Sequence, residues 1–197
     1  MRLLKPAYDS LSDEQLVHRM QLGDKRAFDQ LYGRYAQALF YFFMRALWKD
    51  KEKAQDFVHD FFAKLIQQPQ LFDINRSFKT WMYAVANNMC KNEYRKQGTR
   101  KEMYAAGGDA PLAVPDPAMN VLKVTQDAQF NEAFQSALKN MDDKHREVFT
   151  LRHIEGLSLK EIAEILQING GTVKSRLFYA TKHLATVLKE FERVLID

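Results

Sequence analysis

Thr172, Lys174, Ser175, Arg176, Phe178, Tyr179 and Lys182 share one side of a helix-length segment near the end of the 197-residue chain. Cations neutralise phosphates, hydroxyls donate hydrogen bonds and rings press on apolar groups, so this face suits a helix laid in the major groove of duplex DNA. The opposite residues, Val173, Leu177, Ala180 and Leu184, step by four, three and four, the spacing of a buried stripe. Just before them, Ser158 and Glu161 form an S-x-x-E capping box ahead of the apolar Ile162, Ala163, Ile165 and Leu166. Asn169, Gly170 and Gly171 are expected to turn the chain, with Thr172 or Gly171 capping the second helix. Together these make a helix-turn-helix. The plain alternative is a helical hairpin with a solvated charged face.

A second cationic stretch lies upstream. Arg76–Lys101 holds seven bases against Glu93 alone, net +6, with Phe78, Trp81, Met82, Tyr83 and Tyr94 interleaved. Cations that track phosphates beside rings that stack on bases suit single-stranded nucleic acid. The competing reading buries the rings and leaves the bases as a solvated face. The preceding Asp50–Asp73 has the opposite sign, with five acids against three lysines.

Other chemistry finds little support. Asp56, His59 and Asp60 share a helix and could supply half a metal site, but no second half accompanies them, so no metal is expected. No glycine-rich phosphate loop, nucleophile elbow or H-E-x-x-H is present, so neither an enzyme nor a cofactor is expected. Cys90 is the single cysteine, which excludes an internal disulfide and fits a small buried hydrophobe. His145, His153 and His183 stand apart from one another and read as structural or surface residues.

The elements that must carry these faces are helical throughout. With 46% hydrophobic and 27% charged residues the chain can bury globular cores, and its net charge of +4 permits a polyanionic partner. No signal-like start and no long uncharged apolar run is present, so a cytoplasmic protein without membrane insertion is expected. Ser12 and Gln15 make a capping box for a first short helix that ends at Gly23. Asp24 caps a long helix with Phe28, Leu31, Tyr32, Tyr35, Leu39, Phe43 and Leu47 as its buried stripe, while Phe40, Tyr41 and Phe42 hint at a second buried side. A third helix over Asp50–Gln67 turns Ala54, Phe57, Val58, Phe61, Leu65 and Ile66 inward. A fourth runs from Ser77 to Lys96 with Trp81, Ala84, Val85 and Asn88 along one side.

Near Gly98 the composition changes, and Ala105–Ala118 holds three of the five prolines without periodicity. Such a linker of ~25 residues averages roughly 25–30 Å as a flexible coil. Beyond it, Phe130, Ala133, Phe134 and Leu138 form one stripe, and Val148, Phe149, Leu151 and Ile154 another. The helix-turn-helix then completes a four-helix domain.

In this order the motifs resemble the extracytoplasmic-function group of bacterial RNA polymerase sigma factors. AFDQLYGRYAQALFYFF (27–43), AQDFVHDFFAKL (54–65), SFKTWMYAVANNMCKNEYRK (77–96) and MDDKHREVFTLRHIEGLSLKEIAEILQINGGTVKSRL (141–177) carry the likeness. The resemblance implies an all-α protein of two small domains, 11–100 and 124–192, joined by a linker over 101–123. It implies binding to core polymerase at its β′ clamp and β flap, and a promoter read as duplex at −35 and as single strand at −10. It also brings a frequent family partner, an anti-sigma protein. Asp56, Phe57, Asp60 and Phe61 would face the clamp. Arg76, Phe78, Trp81, Asn88, Lys91, Asn92, Arg95 and Lys96 would serve the −10 strand, with the Phe72–Phe78 loop and Asn88 holding a flipped base between a flat wall and amide groups. Arg152, Thr172 and Lys174 would grip the −35 backbone. Ser175, Arg176, Phe178 and Tyr179 would read its bases, Arg at guanine edges and Phe at thymine methyls. Tyr179 and Gly170 depart from the family, which often has Arg and an acidic or small residue there. The rival function is a conventional helix-turn-helix regulator that binds duplex DNA without polymerase.

Overall fold

The computed structural model describes residues 8–47, 50–101, 128–189 and 191. The protein is all-α, and its chain divides into two compact units, 1–115 and 116–197. Most of the expected linker, 102–123, lies outside the described residues.

The first unit contains α1 (Asp13–Gln21), α2 (Lys25–Ala46), α3 (Lys51–Gln67) and α4 (Phe78–Lys101). Each start has a chemical cause. Ser12 accepts from the Gln15 N–H while Gln15 reaches back to the Ser12 N–H, and Asp24 and Asp50 cap α2 and α3. Gly23 takes a φ of +89°, which only glycine adopts freely, so α1 turns sharply into α2. Leu16, Val17, Leu31, Leu39, Phe43, Ala54, Phe61, Phe78, Met82 and Tyr83 fill the core. An ion pair between Lys53 Nζ and Glu93 Oε1 at 2.5 Å links α3 to α4.

Several expected faces shift. Tyr32 is 39% exposed, although its ring leans on Phe62 at 4.8 Å, and Ile66 is 47% exposed. Phe42 and Met44 are buried because α2 is covered on more than one side, and Phe62 of α3 is buried against Phe28 and Tyr32 of α2. The fourth helix continues to Lys101 rather than stopping at Lys96.

The second unit contains α5 (Ala128–Asn140), α6 (Asp143–Phe149), α7 (Leu159–Leu166) and α8 (Gly170–Val187). Phe130, Phe134, Ala137, Leu138, Met141, Ala180 and Leu184 form one core cluster. A π-turn over Thr150–Ile154 follows α6, with the Glu155 N–H donating to the Thr150 carbonyl at 3.1 Å and the Leu157 N–H to Leu151 at 3.0 Å. The capping box of Ser158 and Glu161 starts α7 as expected. The turn differs from expectation. Gln167, not a glycine or Asn169, takes the left-handed conformation (φ +56°, ψ +44°), and Asn169 rather than Thr172 or Gly171 caps α8 by accepting from the Thr172 N–H at 2.8 Å. Gly170 and Gly171 are already helical.

Candidate nucleic-acid interfaces

On α8 the stripe expected to be inward divides by depth: Val173, Ala180 and Leu184 are buried and Leu177 is half-buried. Burial of that stripe fixes the rotation of the helix, so the other face must look outward. Phe178 and Tyr179 are 62% and 55% exposed, which leaves much of two large rings in water at a cost. The Tyr179 ring lies 5.7 Å from His145 and 5.6 Å from Phe178, so α6 braces the tyrosine from beside. Lys174 and Ser175 are exposed and Arg176 is half-buried. The Ser175 hydroxyl donates to the Thr172 carbonyl at 3.0 Å, and the Thr172 hydroxyl donates to Asn169 Oδ1 at 3.1 Å. Both hydroxyls are thus folded back on their own helix start. Arg152, from the π-turn, is exposed and donates through Nη1 to the Leu157 carbonyl at 2.9 Å. Thr172, Lys174, Ser175, Arg176, Phe178 and Tyr179 share α8, while Arg152 comes from another element of the same unit.

The α4 site has two sides. Phe78, Met82, Tyr83, Ala86, Asn87 and Cys90 are buried, whereas Trp81, Ala84, Val85 and Lys91 are half-buried and Asn88, Asn92, Arg95 and Lys96 are exposed. Trp81, Asn88, Asn92 and Arg95 therefore form a line about 21 Å long at 1.5 Å per residue. Arg95 Nη2 donates to Asn92 Oδ1 at 2.8 Å, which holds the guanidinium along that line. Phe78 is a correction: fully buried, it cannot contact a strand. It packs edge-on to Phe72 at 5.4 Å and 89°, and against Tyr35 at 5.6 Å. Trp81 rests on this floor, 5.4 Å from Phe72, 5.8 Å from Phe78 and 6.0 Å from Phe61. Of the bases on this segment, Arg76 lies in the exposed loop before α4.

That loop is shaped by hydrogen bonds. Asp73 Oδ1 accepts from the Asn75 N–H and from Asn75 Nδ2, both at 3.0 Å, and these bonds hold its carboxyl below the ordinary range. Ser77 Oγ accepts from the Thr80 N–H at 3.2 Å, a cap at the start of α4. Two residues of α1, to which the sequence assigned no role beyond their own helix, also reach it. Gln21 Nε2 donates to the carbonyls of Pro69 at 3.0 Å and Phe72 at 3.1 Å. Glu14 Oε1 accepts from the Phe78 N–H at 3.0 Å. Burial raises the Glu14 pKa, but hydrogen bonds from the N–H groups of Phe78 and Glu14 and from Ser12 outweigh it and leave the carboxyl below its ordinary value. A contact spanning 64 residues has no periodic signature, so no sequence signal could have found it. Asn87 is likewise new: it is 5% exposed and its Nδ2 has no hydrogen-bond partner among the described residues.

On α3, Asp56 and Asp60 are exposed one turn apart and Phe57 is half-buried, 5.3 Å from Phe43. Phe61 is a second correction. At 2% exposure, packed on Phe62 and Trp81, it supports the surface from below rather than forming it. Among the described residues, no group of three His, Cys, Asp or Glu side chains is poised to hold a metal, and no helix is long and apolar enough to cross a membrane.

Two sequence profiles match the chain: Sigma-70 region 2 over residues 31–100, and Sigma-70, region 4 over 131–184. RNA polymerase sigma-H factor of Pseudomonas aeruginosa is 31% identical over 186 residues, 92% of this chain and 96% of the relative. ECF RNA polymerase sigma-E factor of Haemophilus influenzae is 32% identical over 182 residues, 87% and 93% of the two chains. Among solved structures, the sigma factor RpoE of Bartonella quintana, in complex with the anti-sigma factor NepR, is similar with a TM-score of 0.67 and 25% identity, over 82% of this chain and 96% of that one. CnrH, in complex with the cytosolic domain of CnrY, shares the fold with a TM-score of 0.62 and 24% identity, over 90% and 97%.

Proposed function

The chain belongs to the sigma-70 family of RNA polymerase sigma factors, in its extracytoplasmic-function group, and from that premise we propose how its two units divide promoter recognition. The C-terminal unit lays α8 in the major groove of the −35 duplex. Lys174, Thr172 and Arg152 meet phosphates, and Arg176, Ser175, Phe178 and Tyr179 meet base edges. The N-terminal unit takes the −10 non-template strand along Trp81, Asn88, Lys91, Asn92, Arg95 and Lys96, with Arg76 from the preceding loop. Phe72 and Phe78 are the buried floor beneath Trp81, not contacts.

The energetics favour capture over force. Unstacking one duplex step costs about 1.4 kcal/mol. Stacking an extruded base on an aromatic side chain returns about 1–3 kcal/mol. A few captured bases therefore offset the opened steps, provided that Trp81 and the loop already stand in position and lose little entropy on binding. The observation that carries this reading is the split of α4 into a buried aromatic floor and an outward line of the half-buried Trp81 and the exposed Asn88, Asn92 and Arg95.

Asp56 and Asp60, exposed on an otherwise basic protein, are the proposed contacts with the polymerase clamp, with Phe57 at their edge. The flap is the proposed partner of the second unit. The complex of the Bartonella quintana relative with an anti-sigma factor supports a similar inhibitory partner for this chain.

The test is run-off transcription by purified core polymerase with this chain on a promoter library randomised at −35 and −10. The expected result is recovery of one promoter class, transcribed only when the chain is present. Ala in place of Trp81 or Asn88 should then reduce permanganate reactivity of the −10 strand while −35 duplex binding persists. A chain that shifts duplex DNA without polymerase and never initiates transcription would establish the conventional regulator instead.

A further inference from the structure

We propose that α1 is the positioning element of the −10 site: Gln21 and Glu14 hold the two feet of the 69–78 loop in the conformation that receives an unpaired base. This rests on the promoter reading above and names residues that it does not require.

The loop's own hydrogen bonds are local, a turn at Pro69–Leu71 and another in which Asp73 accepts from the N–H groups of Asn75 and Arg76, and neither ties its two ends to the rest of the unit. Phe72 and Phe78 are buried, so the backbone groups beside them need partners other than water. One helix supplies them at both ends. Gln21 Nε2 donates to the Pro69 and Phe72 carbonyls where the loop begins, and Glu14 Oε1 accepts from the Phe78 N–H where it ends. The two side chains are seven residues apart, two helical turns, and so lie on one face about 10 Å from each other. Between the anchored feet, Asp73–Ser77 is exposed throughout. That is a loop held at its base with its crown presented to solvent. Trp81 follows Phe78 by one turn, so the Glu14 contact also sets where the α4 N-terminus carries the tryptophan.

The side-chain chemistry is specific. A glutamine amide nitrogen has two hydrogens and can serve two carbonyls at once, whereas glutamate at 21 would set only acceptors against acceptors. At 14 the requirement is merely an acceptor, which a glutamine oxygen also meets.

The experiment uses full-length chain assembled with core polymerase and two probes: the labelled non-template −10 strand of the promoter recovered from the library, and its −35 duplex. Gln21→Glu and Glu14→Ala are expected to weaken −10 strand binding about tenfold, the equivalent of one to two lost hydrogen bonds. Core polymerase affinity and −35 duplex binding should change by less than about twofold, a difference well under the value of one such bond. Glu14→Gln should restore strand binding. Wild-type strand affinity in Gln21→Glu overturns the proposal. So does Glu14→Gln as weak as Glu14→Ala, or polymerase affinity that falls in step with strand binding, since each makes α1 a brace for the fold only. Failure of the wild-type holoenzyme to bind the −10 strand would overturn the promoter reading itself, and the wild-type arm separates that outcome from the others.

Discussion

Phe78→Ala separates a residue that supports the −10 site from one that touches DNA. Phe78 has no exposed surface, and its ring is enclosed by Tyr35, Phe72 and Trp81 at 5.4–5.8 Å. Truncating an enclosed phenylalanine costs about 3–5 kcal/mol, the transfer loss plus the cavity left behind. Three lost ring pairs place this site toward the upper end. For a unit of this size each kcal/mol lowers the melting temperature by roughly 4–8 °C, so the N-terminal unit should melt on the order of 15–40 °C lower. Scanning calorimetry of the full chain reads this, with Leu184→Ala marking the transition of the other unit through its own core. Trp81→Ala, at a half-buried position, should move the same transition far less yet abolish most −10 strand binding. If Phe78→Ala kept its melting temperature and lost strand binding, the burial argument would be refuted and Phe78 would return to the DNA-contacting set.

Arg176→Ala should relax discrimination at one −35 base pair by ~1–3 kcal/mol, whereas Lys174→Ala should weaken binding to all −35 sequences alike and flatten the salt dependence, both measured by anisotropy titrations of the holoenzyme on variant duplexes. Gln167→Gly should stabilise the C-terminal unit by up to about 1 kcal/mol in a urea titration, because the left-handed penalty of roughly 1–2 kcal/mol exceeds the extra entropy a glycine loses. Partial desolvation of an otherwise exposed ring first, and the Arg152 charge second, hold the His153 pKa below its ordinary value. The folded unit thus favours neutral His153, its contribution is complete above pH 6.5 and fades as the pH falls below it, and His153→Gln should flatten the decline in melting temperature between neutral and mildly acidic buffer.

The helices were legible because their causes are local. Ser12 with Gln15, Asp24, Asp50 and Ser158 with Glu161 announce four starts through side chains that satisfy orphan amides nearby. The turn of the second unit was misassigned for a reason of the same kind. Gly170 and Gly171 satisfy the propensity for a turn, but Asn169 captures the Thr172 N–H and commits them to helix, so Gln167 must absorb the left-handed step. The π-turn after α6 leaves no mark in an apolar pattern, since Val148 and Leu151 are buried either way. The clamp of Gln21 and Glu14 was illegible because polar side chains in a short helix read as solvated until the loop 48–64 residues away is brought beside them.

Phe61 and Phe78 show why a motif alone cannot divide contacts from supports. Both stand inside stretches that resemble functional segments, and a string of residues contains every face of its helix. Periodicity carries the missing information. Phe78, Met82, Ala86 and Cys90 recur every fourth residue and are buried, while Trp81, Asn88, Asn92 and Arg95 step by seven, four and three on the side that meets solvent. Three residues turn a helix by about 300°, which leaves Phe78 and Trp81 roughly 60° apart, neighbours across the border between the buried and the exposed flank of α4. The offset is small enough that the inner ring still touches the outer one, which is how a buried phenylalanine stiffens the wall on which an unpaired base would stack.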